Sequence, residues 1–281
     1  MMINPRELTA RLTKVYEYGE ARAVLRMVME TAFGLSWTDV LCGATENLYP
    51  EQCRQMEKIM LRLENGEPVQ YVLGETIFCD RTFHVEPGVL IPRPETELLV
   101  SECIAGKEQE ELLHVLDIGT GSGCIATTIA LDHPTWAVQG WDISDTALHI
   151  ATDNATRLGA DNVTFWKVDI LGKDINCNEN FDIIVSNPPY ICEKERKEME
   201  TIVTEHEPGL ALFVPDDDPL KFYKAITTFA THHLRNGGKL TFEINRAYHK
   251  EVELLMTQSG FHDVEVKKDQ FGNYRIAGGL L

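Results

Sequence analysis

Positive charge is scarce in this sequence. Its 281 residues carry 26 Lys and Arg against 44 Asp and Glu, a net charge of -18. Proteins that bind duplex nucleic acid gain affinity from cations that displace phosphate counterions. A balance this acidic argues against nucleic acid as a direct partner. Long apolar runs are missing as well. None approaches the roughly 20 residues that a membrane helix needs, so no membrane partner is expected. The opening Met1-Met2-Ile3-Asn4-Pro5-Arg6-Glu7 lacks the basic-then-apolar order of a signal peptide. A cytoplasmic protein is the expectation. Cysteine is present at 42, 53, 79, 103, 124, 177 and 192, an odd count without a C-x-x-C pair. That pattern suits neither a disulfide framework nor a zinc site and leaves reduced, buried thiols. Glu205-His206-Glu207 lacks the spacing of a helical metal site, His232-His233 is uninformative, and no metal is expected. Internal repeats and low-complexity segments are absent too.

The chain is otherwise ordinary globular protein, 43% hydrophobic and 25% charged. At roughly 100–200 residues per domain its length predicts two domains. Residues 1–75 read as helices. Asn4 can cap a helix with Pro5 in its first turn and Leu8, Leu12, Val15 and Tyr16 on one face. Ala21, Val24, Leu25, Val28 and Met29 repeat that spacing up to a stop at Gly34. A third amphipathic stretch runs through Cys53, Met56, Ile59, Met60 and Leu63 to Asn65-Gly66. Residues 76–90 alternate and are β-rich, which predicts a hairpin linking the two domains.

From 91 to 281, strand-like runs at 112–118, 136–141, 163–168, 181–186 and 239–244 alternate with helical runs near 95–105, 125–131, 146–158 and 219–234. This alternation predicts an α/β domain with an open, largely parallel sheet. The final pair, 264–266 and 274–276, is joined by the hairpin-like Asp269-Gln270-Phe271-Gly272-Asn273. The last strand should therefore be antiparallel.

The run ending at Asp117-Ile118 leads into Gly119-Thr120-Gly121-Ser122-Gly123. A glycine-rich turn between strand and helix lets a ligand approach the backbone near a helix N-terminus. A dinucleotide fingerprint, G-x-G-x-x-G, would need Gly or Ala where Cys124 stands. An acid followed by G-x-G-x-G matches the S-adenosylmethionine turn of class I methyltransferases, in which the third glycine need not serve helix packing in the same way. Asp142 ends the second strand and can accept hydrogen bonds from a ribose diol, each worth about 1.5–3 kcal/mol to a charged group; alternatively it only precedes the helix cap Ser144. Asp169, followed by Ile170, can hold an adenine amine and ring; alternatively it is a solvated loop carboxylate. Ligands of such sheets bind beside the C-terminal strand ends, where all three acids fall.

The fourth strand ends in Asn187-Pro188-Pro189-Tyr190. The prolines fix their own φ, and Pro188 drives Asn187 toward an extended conformation. The Asn187 amide and the Pro188 carbonyl can thus converge on one point. Two acceptors holding both N–H groups of a planar nitrogen would aim its delocalised lone pair at a methyl carbon, with Tyr190 covering the planar group. The alternative is a rigid loop after a strand.

With both motifs in place, the chain resembles the HemK/PrmC release-factor glutamine methyltransferases over nearly its whole length. Leu90-Ile91-Pro92-Arg93-Pro94-Glu95-Thr96-Glu97, Asp117–Gly123, Asn187–Tyr190 and Glu207-Pro208 with Ala211-Leu212 carry the resemblance. It implies a class I (Rossmann-like) seven-stranded sheet with an antiparallel last strand, a small N-terminal helical bundle that recognises the substrate, and a methyltransferase domain. It implies S-adenosylmethionine contacts at Gly119, Thr120, Gly121, Ser122, Gly123, Asp142 and Ile170, to which Asp117, Asp169 and Asn187 are added as candidate contacts. The glutamine of the Gly-Gly-Gln motif of class I peptide-chain release factors would be held at Asn187, Pro188, Pro189 and Tyr190. N5-methylglutamine and S-adenosylhomocysteine would be the products. The chain departs from many members at Asn245, where glycine is common, and at Ile170, where others carry an aromatic. A monomer is expected. Two other assignments compete: a methyltransferase acting on an exocyclic amine of DNA or RNA, and a cofactor-binding protein without turnover.

Overall fold

A computed structural model describes residues 4–107, 112–173 and 175–281. The chain forms two compact units: residues through Glu75 together with Glu200–His206, and Thr76–Met199 together with Glu207–Leu281.

The first unit is helical. α1 (Pro5–Leu12) opens on Asn4, whose side chain accepts from the Arg6 amide at 3.0 Å. α2 (Tyr18–Phe33) stops at left-handed Gly34, and the Leu35 amide turns back to the Met29 carbonyl at 2.9 Å. α3 (Trp37–Leu41) starts with a Ser36/Asp39 capping box, followed by α4 (Pro50–Glu64) and α5 (Val69–Leu73). The apolar faces read from the sequence meet in one core around Leu12, Leu25, Met29, Met60 and Leu63, and Ile202 packs against it. Arg11 joins α1 to α4 through Glu57 and Glu64, each at 2.7 Å.

The second unit begins with a hairpin, β1 (Glu75–Phe78) and β2 (Arg81–His84), which turns on Cys79 and Asp80 at φ 46° and 58°. Positive φ at both turn residues matches the twist of paired strands. The hairpin is no free-standing connector. Phe78 and Phe83 are fully buried in the core of the second unit, where each contributes about 1.5–3 kcal/mol. The Asn154 side chain binds both the amide and the carbonyl of His84, at 2.7 and 2.9 Å.

After α6 (Pro94–Ile104) come β3 (His114–Ile118), α7 (Cys124–Asp132), β4 (Ala137–Asp142), α8 (Asp145–Leu158), β5 (Val163–Lys167) and β6 (Phe181–Ser186). The chain continues through β7 (Ile191–Cys192), α9 (Thr201–His206), α10 (Gly209–Leu212), β8 (Phe213–Val214), α11 (Lys221–His233), β9 (Leu234–Glu243), α12 (His249–Gln258), β10 (His262–Lys268) and β11 (Tyr274–Leu280). The seven-stranded sheet has the order β10-β11-β9-β6-β3-β4-β5. β11 runs antiparallel to both of its neighbours, and β9, β6, β3, β4 and β5 run parallel. This is the predicted sheet with its antiparallel last strand.

Alternation along the strands builds two cores. Val115, Ile183 and Val185 face α6, α7 and α8, while Leu116, Ile184 and Leu240 face α11 and α12. β3 is flanked by β4 on one side and β6 on the other, so the direction of winding reverses beside it. In open α/β sheets such a reversal opens a crevice at the C-terminal strand ends.

Candidate active site

The chain leaves β3 at Ile118 and enters the glycine turn. Gly119 and Thr120 donate to the Trp141 carbonyl at 2.8 and 3.0 Å, and Gly121 donates to Asp142 Oδ2 at 2.9 Å. Gly119, Gly121 and Gly123 have φ of 76°, 56° and 77°, which only glycine adopts readily. A Cβ on Gly121 would find nothing nearer than 4.0 Å, so the turn leaves an open cradle there. Gly123 is different. A Cβ would fall 2.9 Å from Ala151 Cβ and 3.2 Å from Phe165. The third glycine here serves packing, because α8 crosses directly behind the turn.

In front of the turn lies a cleft of about 1050 Å³, open to solvent. Gly119, Gly121, Asp142, Asp169, Ile170, Asn187, Pro188 and Pro189 line it. Thus eight of the residues named from the sequence share one space. Its other walls include Ile143, Val168, Leu171, Phe222 and the strap Pro208-Leu210-Ala211. Among the described residues, neither lysine nor arginine lines it. Apolar walls, two carboxylates and no cation suit a neutral or cationic nucleoside better than a pyrophosphate.

The remaining named residues lie behind this surface. Thr120, Ser122 and Gly123 are buried. Asp117 is wholly buried, with Oδ2 accepting from Thr120 Oγ1 at 2.6 Å and Oδ1 lacking a well-formed partner. Burial pushes its carboxyl up to about 7, against the opposing pull of the Thr120 and Ala126 hydrogen bonds. Asp117 braces the turn from the rear. Asp142 lines the cleft, and its Oδ1 accepts from the Ser144 amide at 2.9 Å, just ahead of the helix cap.

Across the cleft, Ser186 ties the end of β6 to the Ile118 carbonyl at 2.6 Å, which sets Asn187 beside the turn. A Cβ on Gly119 would lie 4.0 Å from the Asn187 carbonyl oxygen. Asn187 Nδ2 donates to Thr96 Oγ1 at 3.3 Å, and Thr96 Oγ1 donates to Glu243 Oε2 at 2.7 Å. Tyr190 does not line the cleft. Its hydroxyl donates to Glu243 Oε1 at 2.9 Å, and burial together with that carboxylate raises the phenol's pKa. Glu243 is only 2% exposed. Burial raises its carboxyl, opposed by the Thr96 and Tyr190 hydrogen bonds and the nearby Arg275. Asn245, the departure from the glycine common at this position, donates to the Tyr190 carbonyl at 3.1 Å and so steadies the corner.

Sequence profiles agree with this architecture. The PrmC N-terminal domain matches residues 6–74, and a methyltransferase domain matches 109–272. A release factor glutamine methyltransferase of Bacteroides thetaiotaomicron is 44% identical over 265 residues, covering 94% of either chain. Its counterpart in Flavobacterium psychrophilum is 42% identical, covering 94% of this chain and 93% of its own. The chain belongs to the release factor glutamine methyltransferase family. It is a methyltransferase. A methyltransferase from Pyrococcus furiosus shares the fold, with a TM-score of 0.51 at 16% identity, covering 83% of this chain and 98% of that one.

Two features of this family member escaped the sequence reading. The Thr96–Glu243 pair joins positions 147 residues apart, and no local pattern announces it. The strap lining the cleft is the other. Glu207, 5% exposed, pairs with Arg93 and accepts from the Ile91 amide at 3.1 Å, fastening the start of the strap to 91–93. The Ile91–Glu97 and Glu207-Pro208 motifs marked both places without revealing that they touch.

Proposed function

We propose that the protein transfers a methyl group from S-adenosylmethionine to the side-chain amide nitrogen of the glutamine in the Gly-Gly-Gln motif of class I peptide-chain release factors. One observation carries this reading: the glycine turn and the Asn187-Pro188-Pro189 corner line a single cleft. The names of the relatives supply the substrate, release factors.

The cleft residues fit the cofactor. Gly119 and Gly121 present bare backbone, Asp142 keeps acceptor capacity beyond its two amide partners, and Asp169 with Ile170 offers a polar and an apolar contact. S-adenosylmethionine, when bound, supplies a methyl carbon made electrophilic by its sulfonium. The chain's own work is orientation. Asn187 Oδ1 and the Pro188 carbonyl accept the two N–H groups of the substrate amide, which directs its nitrogen lone pair and stabilises the positive charge that develops there. Tyr190 acts from outside the cleft, holding the corner through Glu243.

The test is mass spectrometry of a release factor incubated with the protein and S-adenosylmethionine. The glutamine-bearing peptide should gain one methyl group. Label entering total nucleic acid instead of the release factor would overturn the assignment. Asn187→Ala should lower kcat roughly 10²–10³-fold, as loss of a transition-state hydrogen bond does, with little change in cofactor affinity by calorimetry.

A further inference from the structure

Asn187 is useful as an acceptor only if its oxygen, not its nitrogen, faces the substrate. A carboxamide presents nearly the same shape either way round, so something must select one orientation.

The hydrogen-bond directions around Glu243 make that selection. A carboxylate has only acceptors to offer. Both hydroxyls that meet Glu243 must therefore donate, Thr96 to Oε2 at 2.7 Å and Tyr190 to Oε1 at 2.9 Å. Once its single proton is spent on Glu243, Thr96 Oγ1 has only lone pairs left. A neighbour within bonding distance must then be a donor. Asn187 meets it at 3.3 Å and can satisfy it only through Nδ2. With its nitrogen turned toward Thr96, the carboxamide presents Oδ1 on its other side. The inverted amide would set two acceptors against each other, one of them the buried Thr96 hydroxyl.

We propose that Glu243 and Thr96 are positioning residues of the methyl-transfer reaction, a directional relay that fixes the Asn187 carboxamide with its oxygen toward the substrate. This inference rests on the role given to Asn187 above. The parts of the relay come from α6, β9 and the corner after β6, and the sheet keeps them together. Burial disfavours the acceptor-only form of Glu243, and the two hydroxyl donors together with the positive potential of Arg275 on β11, itself held to Asp269 at 3.2 Å, oppose that effect.

The experiment uses the full chain, S-adenosylmethionine and a class I release factor. Thr96→Val keeps the shape of the side chain and removes the hydroxyl. It should lower kcat about 10–100-fold, roughly 1.4–2.7 kcal/mol at 1.36 kcal/mol per decade, with the cofactor dissociation constant unchanged. Thr96→Ser should recover most of the loss. Placed on Asn187→Ala, Thr96→Val should cost nothing more, since the relay acts only through that amide. Losses that multiply in the double variant would overturn the relay, as would a wild-type kcat for Thr96→Val beside an impaired Asn187→Ala. A wild-type kcat for Asn187→Ala would instead remove the proposed role of the corner, and the relay with it. Glu243→Gln is the second probe should Thr96→Val fail to fold. It can accept from only one of the two hydroxyls, so it should lower kcat in the wild-type background and add nothing to Asn187→Ala; an added loss overturns the relay.

Discussion

Single carboxylates in this protein do unequal things, and their surroundings decide which. Asp142 reaches the cleft while holding the amides of Gly121 and Ser144. Asp142→Ala should therefore loosen the turn as well as remove a ligand contact, weakening S-adenosylmethionine about tenfold or more by calorimetry; an unchanged dissociation constant would refute its role. Asp117 is the opposite case, buried with its carboxyl pushed up to about 7. Its ordinary value is near 3.8. The folded state thus binds the proton more tightly than the unfolded one, so its contribution to stability is complete below about pH 4 and drains away as pH rises through 7. Asp117→Asn should narrow the fall in stability between pH 5 and pH 8, measured as urea midpoints at the two pH values. These contrasts were only half legible in the sequence. Asp117–Gly123 and Asn187–Tyr190 stood out because glycine and proline dictate backbone shape locally. The meeting of Thr96 with Glu243 depends on how α6 crosses the sheet, which no short spacing encodes.

At the scale of elements, long segments with a single buried face were readable and short ones were not. The capped start at Asn4, the stop at Gly34 and the seven strands of the alternating pattern and tail appear where period and punctuation put them. β7 and β8 are two residues each and leave no periodic trace. α12 is not legible in the sequence because only Val252 and Met256 of its ten residues are buried, too few to mark an apolar face. Gly123 shows how element packing constrains a single position. Gly123→Ala should cost roughly 2–4 kcal/mol, combining a forced contact with α8 and a left-handed backbone. A thermal midpoint within one degree of wild type would mean that α8 yields more easily than its close approach to Ala151 suggests.

For the molecule as a whole, the family relation covers both units, since the N-terminal match ends at residue 74, beside the end of the first unit's main stretch at Glu75, and the methyltransferase match spans 109–272. One glutamine side chain offers little area for selecting a protein partner, so the helical unit is proposed to grip the release factor. Removing residues 1–75 should leave cofactor affinity largely intact and raise KM for the release factor at least about tenfold; an unaltered KM would place recognition elsewhere.

That truncation cannot be clean, because Glu200–His206 belongs to the unit being removed although it is encoded far downstream. Cutting at residue 75 strips Ile202 of the apolar surface it packs on. In evolutionary terms the small unit is no cassette: a single crossover at that joint would import a foreign bundle while Glu200–His206 stayed the recipient's own. The two stretches must change in step, so substitutions at Ile202 should track those in the N-terminal core across lineages.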